Sequence, residues 1–256
     1  MKVGLLCKSC KKDLPWLAYA VRSFEKNWRS PWTETRWTIV LDNDCRGLAA
    51  VHDITRSGHI EVLYTEPWPD RYAHAMAIKA CADRILGTEL VFLFDSDMML
   101  VRPTTLEDLL VEVKPRLQYA RWDSAYDSET RGVARQVWGQ ASIRSTGIPL
   151  TRDWLASPVW LFWGSTLAGA RYLVEKEHRL PFWAAVYSST IYHPSRFLEH
   201  PHTFCDIENI GLYGSLAEAD RYVIEEFDPN QPLPIVQHWS YSDFGSVEKT
   251  LQKILS

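Results

Sequence analysis

The stretch LVFLFDSDMMLVRP, residues 90–103, is expected to decide the fold. Five apolar residues lead into Asp95-Ser96-Asp97, and a second apolar run follows before Pro103, which cannot donate a ladder hydrogen bond. This pattern predicts a strand that is buried on both faces and ends in two carboxylates. A buried, unpaired carboxylate is strongly unfavourable or takes up a proton, so the pair requires a cation.

Asp95 and Asp97 are therefore the first candidate metal ligands. Residues two apart in an extended segment point in the same direction, so both carboxylates are expected to face one hard cation. Mg²⁺ and Mn²⁺ prefer oxygen ligands and keep open positions for phosphate. The alternative is a polar turn between two strands, because so short a motif also occurs by chance. The strand end favours the ligand site, since open α/β sheets bind ligands there.

The composition fits one large domain, with 256 residues, 46% hydrophobic and 23% charged. A net charge of −4 argues against a general polyanion binder. No apolar run approaches the roughly 20 residues of a membrane span, and the N-terminal lysines follow the short apolar run, unlike in a secretory signal. We expect no transmembrane segment and a cytoplasmic protein.

The five cysteines are odd in number and scattered along the chain. Cys7 and Cys10 have C-x-x-C spacing, but a zinc site would need a second pair that the sequence lacks. Reduced thiols, as in a cytoplasmic protein, are the expected state.

Predicted strands and helices alternate along the chain. Helical segments between strands predict a mostly parallel sheet with right-handed connections. Asp13 is the expected N-cap of the first helix. The predicted strands are residues 3–7, 36–41, 60–64, 90–94, 157–163 and 234–237, and the predicted helices are residues 14–28, 71–86 and 165–178.

Three of the predicted strands end in polar residues. These ends are Lys8-Ser9, Asp42-Asn43-Asp44 and Asp95-Ser96-Asp97. They are expected to converge on one crevice at the carboxyl edge of the sheet. Neither G-x-G-x-x-G after the first strand nor a P-loop motif occurs, which disfavours a dinucleotide oxidoreductase and a P-loop NTPase.

A βαβ-type first half that ends in FLFDSDMMLVRP resembles the nucleotide-sugar-binding half of the GT-A glycosyltransferases. The resemblance implies a single GT-A-like α/β domain over residues 1–256, with a mostly parallel, Rossmann-like central sheet flanked by helices. Residues 1–103 would form the nucleotide-sugar-binding half and residues 104–256 the acceptor-binding half. A Mn²⁺ or Mg²⁺ cofactor and a nucleotide-sugar donor, expected to be a UDP-sugar, are also implied.

The resemblance further implies roles for donor-side residues. Asp97 would ligate the metal directly, and Asp95 would contact the ribose or the water shell of the metal. Asp42 would contact the nucleoside, and Lys79 lies on a helix whose basic side chains reach the donor in this family. The implied nucleotide-sugar-binding set is Cys7, Lys8, Ser9, Asp42, Lys79, Asp95, Ser96 and Asp97.

In the second half, the resemblance implies a late histidine as a third metal ligand, and His238 in PIVQHW matches it. His200 and His202 form a rival pair. The segment TFCDIEN implies that Asp206 and Glu208 supply the acidic residue at the acceptor side, with Asp206 the favoured catalytic base. On the residues alone, Asp206 fits a helix N-cap equally well.

Residues 114–153 are basic and aromatic, with poor hydrophobic periodicity. They are expected to be the acceptor-binding insertion, and a solvated charged excursion is the equally supported alternative. The acceptor is expected to be a carbohydrate hydroxyl rather than a modified nucleobase in DNA.

The sequence thus predicts a metal-dependent glycosyltransferase. A nucleotidyltransferase, or a catalytically silent glycan-binding module of the same fold, is the alternative.

Overall fold

The structure is a computed structural model that describes residues 1–111, 114–121, 152–153, 160–176, 203–206, 212–213, 235–238, 248, 252 and 255–256. The first 111 residues are continuous and contain most of the described core.

The central sheet has five strands in the order β3-β2-β1-β4-β9. The first four are parallel, and β9 is antiparallel to β4. The strands are β1 (Val3–Ser9), β2 (Thr35–Asp42), β3 (Ile60–Thr65), β4 (Leu90–Phe94) and β9 (Trp160–Trp163). This arrangement confirms the predicted mostly parallel α/β sheet.

The helices that flank this sheet follow the predicted pattern. They are α1 (Leu14–Asn27), α2 (Ala49–Ile54), α3 (Arg71–Ala80), α4 (Ala82–Leu86) and α5 (Gly164–Lys176). The single helix predicted over residues 71–86 is interrupted at Cys81, which has non-helical backbone angles. The short α2 has no counterpart among the predicted helices.

Two helix starts differ in how they are capped. Asp13 is the N-cap residue of α1, as predicted, but its side chain makes no capping hydrogen bond and accepts instead from Cys10 Sγ at 3.1 Å. Asp70 does cap α3, because its carboxylate accepts from the Ala73 amide at 2.9 Å.

Burial of both faces explains the near-continuous apolar runs of the strands. β1, β4 and all but one residue of β2 are buried along their length. Phe24 of α1 lies at the centre of one face, 5.0 Å from the ring of Phe94 and 5.7 Å from that of Trp37. These aromatic contacts attach α1 to the sheet.

The remaining described strands lie beside this core. They are β5 (Met98–Leu100), β6 (Leu110–Val111), β7 (Lys114–Arg121), β8 (Arg152–Asp153), β10 (Thr203–Asp206), β11 (Leu212–Tyr213) and β12 (Ile235–His238). Residues 114–121, the first part of the predicted acceptor-binding insertion, form a strand that pairs with β6, β8 and β10. The rest of the predicted insertion, apart from β8, lies outside the described residues.

Polar side chains of α1 hold β5 in place. Ser23 Oγ accepts from the Leu100 amide at 3.0 Å, and Asn27 Nδ2 donates to the Leu100 carbonyl at 2.6 Å. Because the partners are buried, these bonds satisfy backbone groups that would otherwise be unpaired. They fix the strand that follows Asp97.

Within the part of the chain that the structure describes, no helix is both long and apolar enough to cross a bilayer. The four cysteines with described side chains, Cys7, Cys10, Cys45 and Cys81, are free thiols.

The Gly4→Ala substitution should destabilise the fold by overpacking, by about 1–3 kcal/mol or more. A Cβ at this position of β1 would lie 2.6 Å from both Leu86 Cδ1 and Thr88 Oγ1. Gly58→Ala is a comparison with a different cause of loss, because nothing lies within 4 Å of the added Cβ but the backbone at φ +75° strains an alanine by about 1–2 kcal/mol. Urea unfolding measures both losses, and a Gly4→Ala variant as stable as the parent would contradict the close packing.

Candidate functional site

The D-x-D segment forms a tight turn between β4 and β5. The Met98 amide donates to the Asp95 carbonyl at 3.0 Å, closing the turn. The expectation that this segment is extended, with its carboxylates aligned by strand alternation, is therefore wrong. Asp95 and Asp97 are nevertheless both partly exposed, whereas Ser96 between them is buried.

Lys79 forms an ion pair with the first aspartate of this turn. Its Nζ lies 2.6 Å from Asp95 Oδ1, and the two side chains are 3% and 30% exposed. The same Nζ lies 4.9 Å from the centre of the Trp160 ring. The structure therefore brings Lys79 to the D-x-D turn through direct contact with its first aspartate.

β12 runs alongside the strand that follows the turn. Gln237 is paired with Met98 in antiparallel register, so the next residue, His238, stands at the position beside Asp97. His238 is also paired with Tyr213 of β11. This register brings the backbone of the predicted third ligand to the D-x-D turn.

The end of β1 presents three predicted donor residues, Cys7, Lys8 and Ser9, all of them buried. Burial, with the nearby Asp95 carboxylate, raises the pKa of the Cys7 thiol well above its ordinary value, so the thiol stays neutral. Ser9 Oγ is buried without a hydrogen-bond partner. Such a hydroxyl at the carboxyl edge is available to a bound ligand.

Asp42, at the end of β2, is completely buried inside a cluster of cationic side chains. Its Oδ1 lies 2.8 Å from Lys8 Nζ and 3.6 Å from His74 Nδ1, and its Oδ2 accepts from Arg71 Nη1. Burial lowers the pKa of His74, and the Lys8 charge lowers it further, so the ring is neutral at neutral pH. Asp42 thus holds Lys8 and Arg71 at the sheet edge.

Trp68 is a surface feature that the sequence patterns did not predict. Its ring stacks on His74, with centroids 5.0 Å apart and planes 12° apart, and 47% of Trp68 is exposed. Arg71, whose side chain is half exposed, binds the same Asp42 as His74. The sequence does contain a signal for it, because Trp68 stands between Pro67 and Pro69, a few residues after the third predicted strand.

The acceptor-side candidates are described only in part. Asp206 is the last residue of β10, where it pairs with Tyr119 of β7 in parallel register. Glu208, His200 and His202 lie outside the described residues.

These residues give one edge of the sheet a mixed charge. Asp95 and Asp97 end β4, Ser9 ends β1, and Lys8 and Arg71 surround the end of β2. Among residues with described side chains, no group of three or more metal-ligating residues occurs. One oxygen of Asp95 is not engaged by Lys79, and the carboxylate of Asp97 belongs to the same turn, so oxygen atoms of the kind that a hard divalent cation prefers are present at this edge.

A separate groove of about 460 Å³ lies between α2 and β3. Its lining is mostly apolar, with His52 and Tyr64, and none of its lining residues is acidic. It therefore lacks the ligands that a hard cation needs, and the carboxyl edge is the better candidate site.

Comparison with solved structures supports the fold. An active-site mutant of LgtC matches with a TM-score of 0.50 and 11% identity, covering 98% of this chain and 94% of that chain. The chain has a GT-A-type fold. The prediction of fold class is confirmed, and at this identity the match concerns the fold alone.

Two further neighbours are less similar. The apo form of the glycosyltransferase GlyE from Streptococcus pneumoniae TIGR4 matches with a TM-score of 0.49 and 11% identity, covering 100% of this chain and 60% of that chain. The bifunctional WbbM matches with a TM-score of 0.45 and 6% identity, covering 73% and 37%. No family model matches the sequence, and no curated protein sequence is significantly similar to it.

Asp42→Asn should lower the free energy of unfolding by about 3 kcal/mol or more, because it leaves the Lys8 charge buried without an anionic partner. Glu61→Gln is the matched control. It breaks the Arg36–Glu61 pair, whose side chains are both 45% exposed, and should cost less than about 1 kcal/mol. Urea unfolding measures both losses, and similar values would contradict a structural role for the buried cluster.

Proposed function

We propose that the protein transfers a sugar from a nucleoside diphosphate, with a UDP-sugar as the expected donor, to a hydroxyl acceptor. The observation that carries the proposal is the D-x-D turn at the carboxyl edge of the parallel sheet of a GT-A-type fold. Ligands of open α/β sheets bind at this edge. The unpartnered hydroxyl of Ser9 beside it supports the same site.

Asp95 and Asp97 would hold Mn²⁺ or Mg²⁺, with His238 as the third ligand. Support for His238 comes from its register position beside Asp97. The bound metal would neutralise charge on the departing diphosphate. Lys79 contacts Asp95 at 2.6 Å, so the first carboxylate of the turn has a positively charged partner before any ligand binds.

The remaining edge residues suit the nucleoside. Lys8 and Arg71 bring positive charge to the ends of β1 and β2, where it attracts an anionic donor. The exposed face of Trp68 is a flat surface on which a base can stack, and His74 keeps the ring in place from behind. Asp42 would act on the nucleoside through these cations, because its own oxygens already contact Lys8 and Arg71.

The acceptor is expected to be a carbohydrate. Asp206 would take the proton from its hydroxyl as general base, with Glu208 supporting the segment. This assignment rests on the family resemblance of residues 202–214.

Two substitutions separate the contribution of the metal to donor binding from that of nucleobase stacking. In calorimetry, the parent should bind UDP more tightly with Mn²⁺ than with a chelator, and Asp97→Ala should remove that difference. Trp68→Ala should weaken UDP binding about tenfold under both conditions, because it removes the stacking surface but no ligand. Tyr172→Ala, at an equally exposed aromatic residue of α5, is the control and should bind as the parent does.

An unchanged response to Mn²⁺ in Asp97→Ala would contradict the assigned metal site. An unchanged affinity in Trp68→Ala would contradict the stacking surface without affecting the metal site.

Catalysis is tested by UDP release from UDP-sugars with Mn²⁺. Asp206→Asn should lower turnover by about 10² or more while UDP affinity stays near that of the parent, because only the proton acceptor is lost. Glu208→Gln should have a much smaller effect. An inactive Glu208→Gln with an active Asp206→Asn would reverse the two roles.

Failure of the parent to release UDP, with or without acceptor, would favour the silent glycan-binding module. Release of diphosphate from nucleoside triphosphates instead would favour a nucleotidyltransferase.

A further inference from the structure

Lys79 is a buried cation beside the D-x-D turn. Its side chain is 3% exposed and belongs to α3, while its Nζ reaches Asp95 Oδ1 at 2.6 Å. A buried ammonium group needs an anionic partner, because removing it from water without one is strongly unfavourable. The Asp95 carboxylate is therefore already paired with a cation of the protein before any metal is bound.

Among the described residues, the other buried lysine, Lys8, shows a different arrangement. Lys8 binds Asp42, whose carboxylate has no exposed surface and whose second oxygen is engaged by Arg71. Asp95, by contrast, is 30% exposed, and Lys79 contacts only its Oδ1. Asp42 thus lies in an ion-pair cluster that is closed to solvent. Asp95 is paired with a cation but remains accessible to solvent.

We propose that Lys79 is a built-in counter-cation of the D-x-D turn, which competes with the divalent metal for Asp95 and makes metal binding depend on the donor's diphosphate. The inference rests on the proposed function. A metal ion alone would meet a carboxylate that is already paired and an ammonium group that repels it. A diphosphate adds negative charge that offsets both cations, so metal and nucleotide bind together.

A purely structural role for Lys79 makes the opposite prediction. If the lysine only orients Asp95, its removal releases the carboxylate and weakens metal binding. If it competes with the metal, its removal strengthens binding of the metal alone. The sign of the change separates the two roles.

The test is calorimetric or electron-paramagnetic titration of Mn²⁺, with and without UDP, which needs no turnover. In Lys79→Gln, the affinity for Mn²⁺ alone should rise about tenfold or more, and the enhancement by UDP should shrink. Lys79→Arg keeps the charge and should behave like the parent. Lys12→Gln, at an exposed lysine of the 3₁₀ turn before α1, is the matched control and should cause no change.

Circular dichroism and thermal unfolding check that each variant is folded. Lys79→Met keeps the apolar part of the side chain and replaces Lys79→Gln should that variant fail to fold. Suppose that the parent binds Mn²⁺ in the presence of UDP. An affinity for Mn²⁺ without UDP that is unchanged or lower in the variant lacking the lysine charge would then overturn this inference and leave the proposed function standing. No Mn²⁺ binding by the parent under either condition would contradict the proposed metal site and this inference with it.

Discussion

Neutralising carboxylates at the ends of buried strands is the constraint on which this site depends. β2 and β4 are buried along nearly their whole length, yet β2 ends in Asp42 and β4 is followed directly by Asp95. Water cannot solvate these groups fully, so nearby cations must do so. The chain supplies one buried lysine to each, Lys8 to Asp42 and Lys79 to Asp95.

These two ion pairs give the two ends of the carboxyl edge different properties. The Asp42 cluster is closed and positions Lys8, Arg71 and His74, with Trp68 stacked on the outer face of that histidine. The pair at Asp95 is open to solvent on one side and adjoins Asp97. A positively charged region thus lies beside an acidic turn, an arrangement that suits a metal–diphosphate group joined to a flat nucleobase.

Apolar patterning predicted the sheet because strands buried on both faces must be apolar throughout. It predicted the location of the D-x-D segment but not its turn. The turn is closed by a backbone hydrogen bond from the Met98 amide to the Asp95 carbonyl, which apolar patterning does not determine. The Lys79 contact could not be inferred, because α3 and the turn meet only through tertiary packing. The burial of Asp42 could not be predicted for the same reason, because its partners Lys8 and Arg71 are 34 and 29 residues away in the sequence.

The central claim is that metal and nucleotide bind together at the carboxyl edge. A crystal structure with Mn²⁺ and UDP, with the metal located by anomalous scattering, tests it most directly. We expect a manganese peak bonded to the Asp97 carboxylate, with the nucleotide extending across the ends of β1 and β2 and its nucleobase against Trp68. A manganese peak remote from Asp95 and Asp97, or a nucleotide in the groove between α2 and β3, would contradict it.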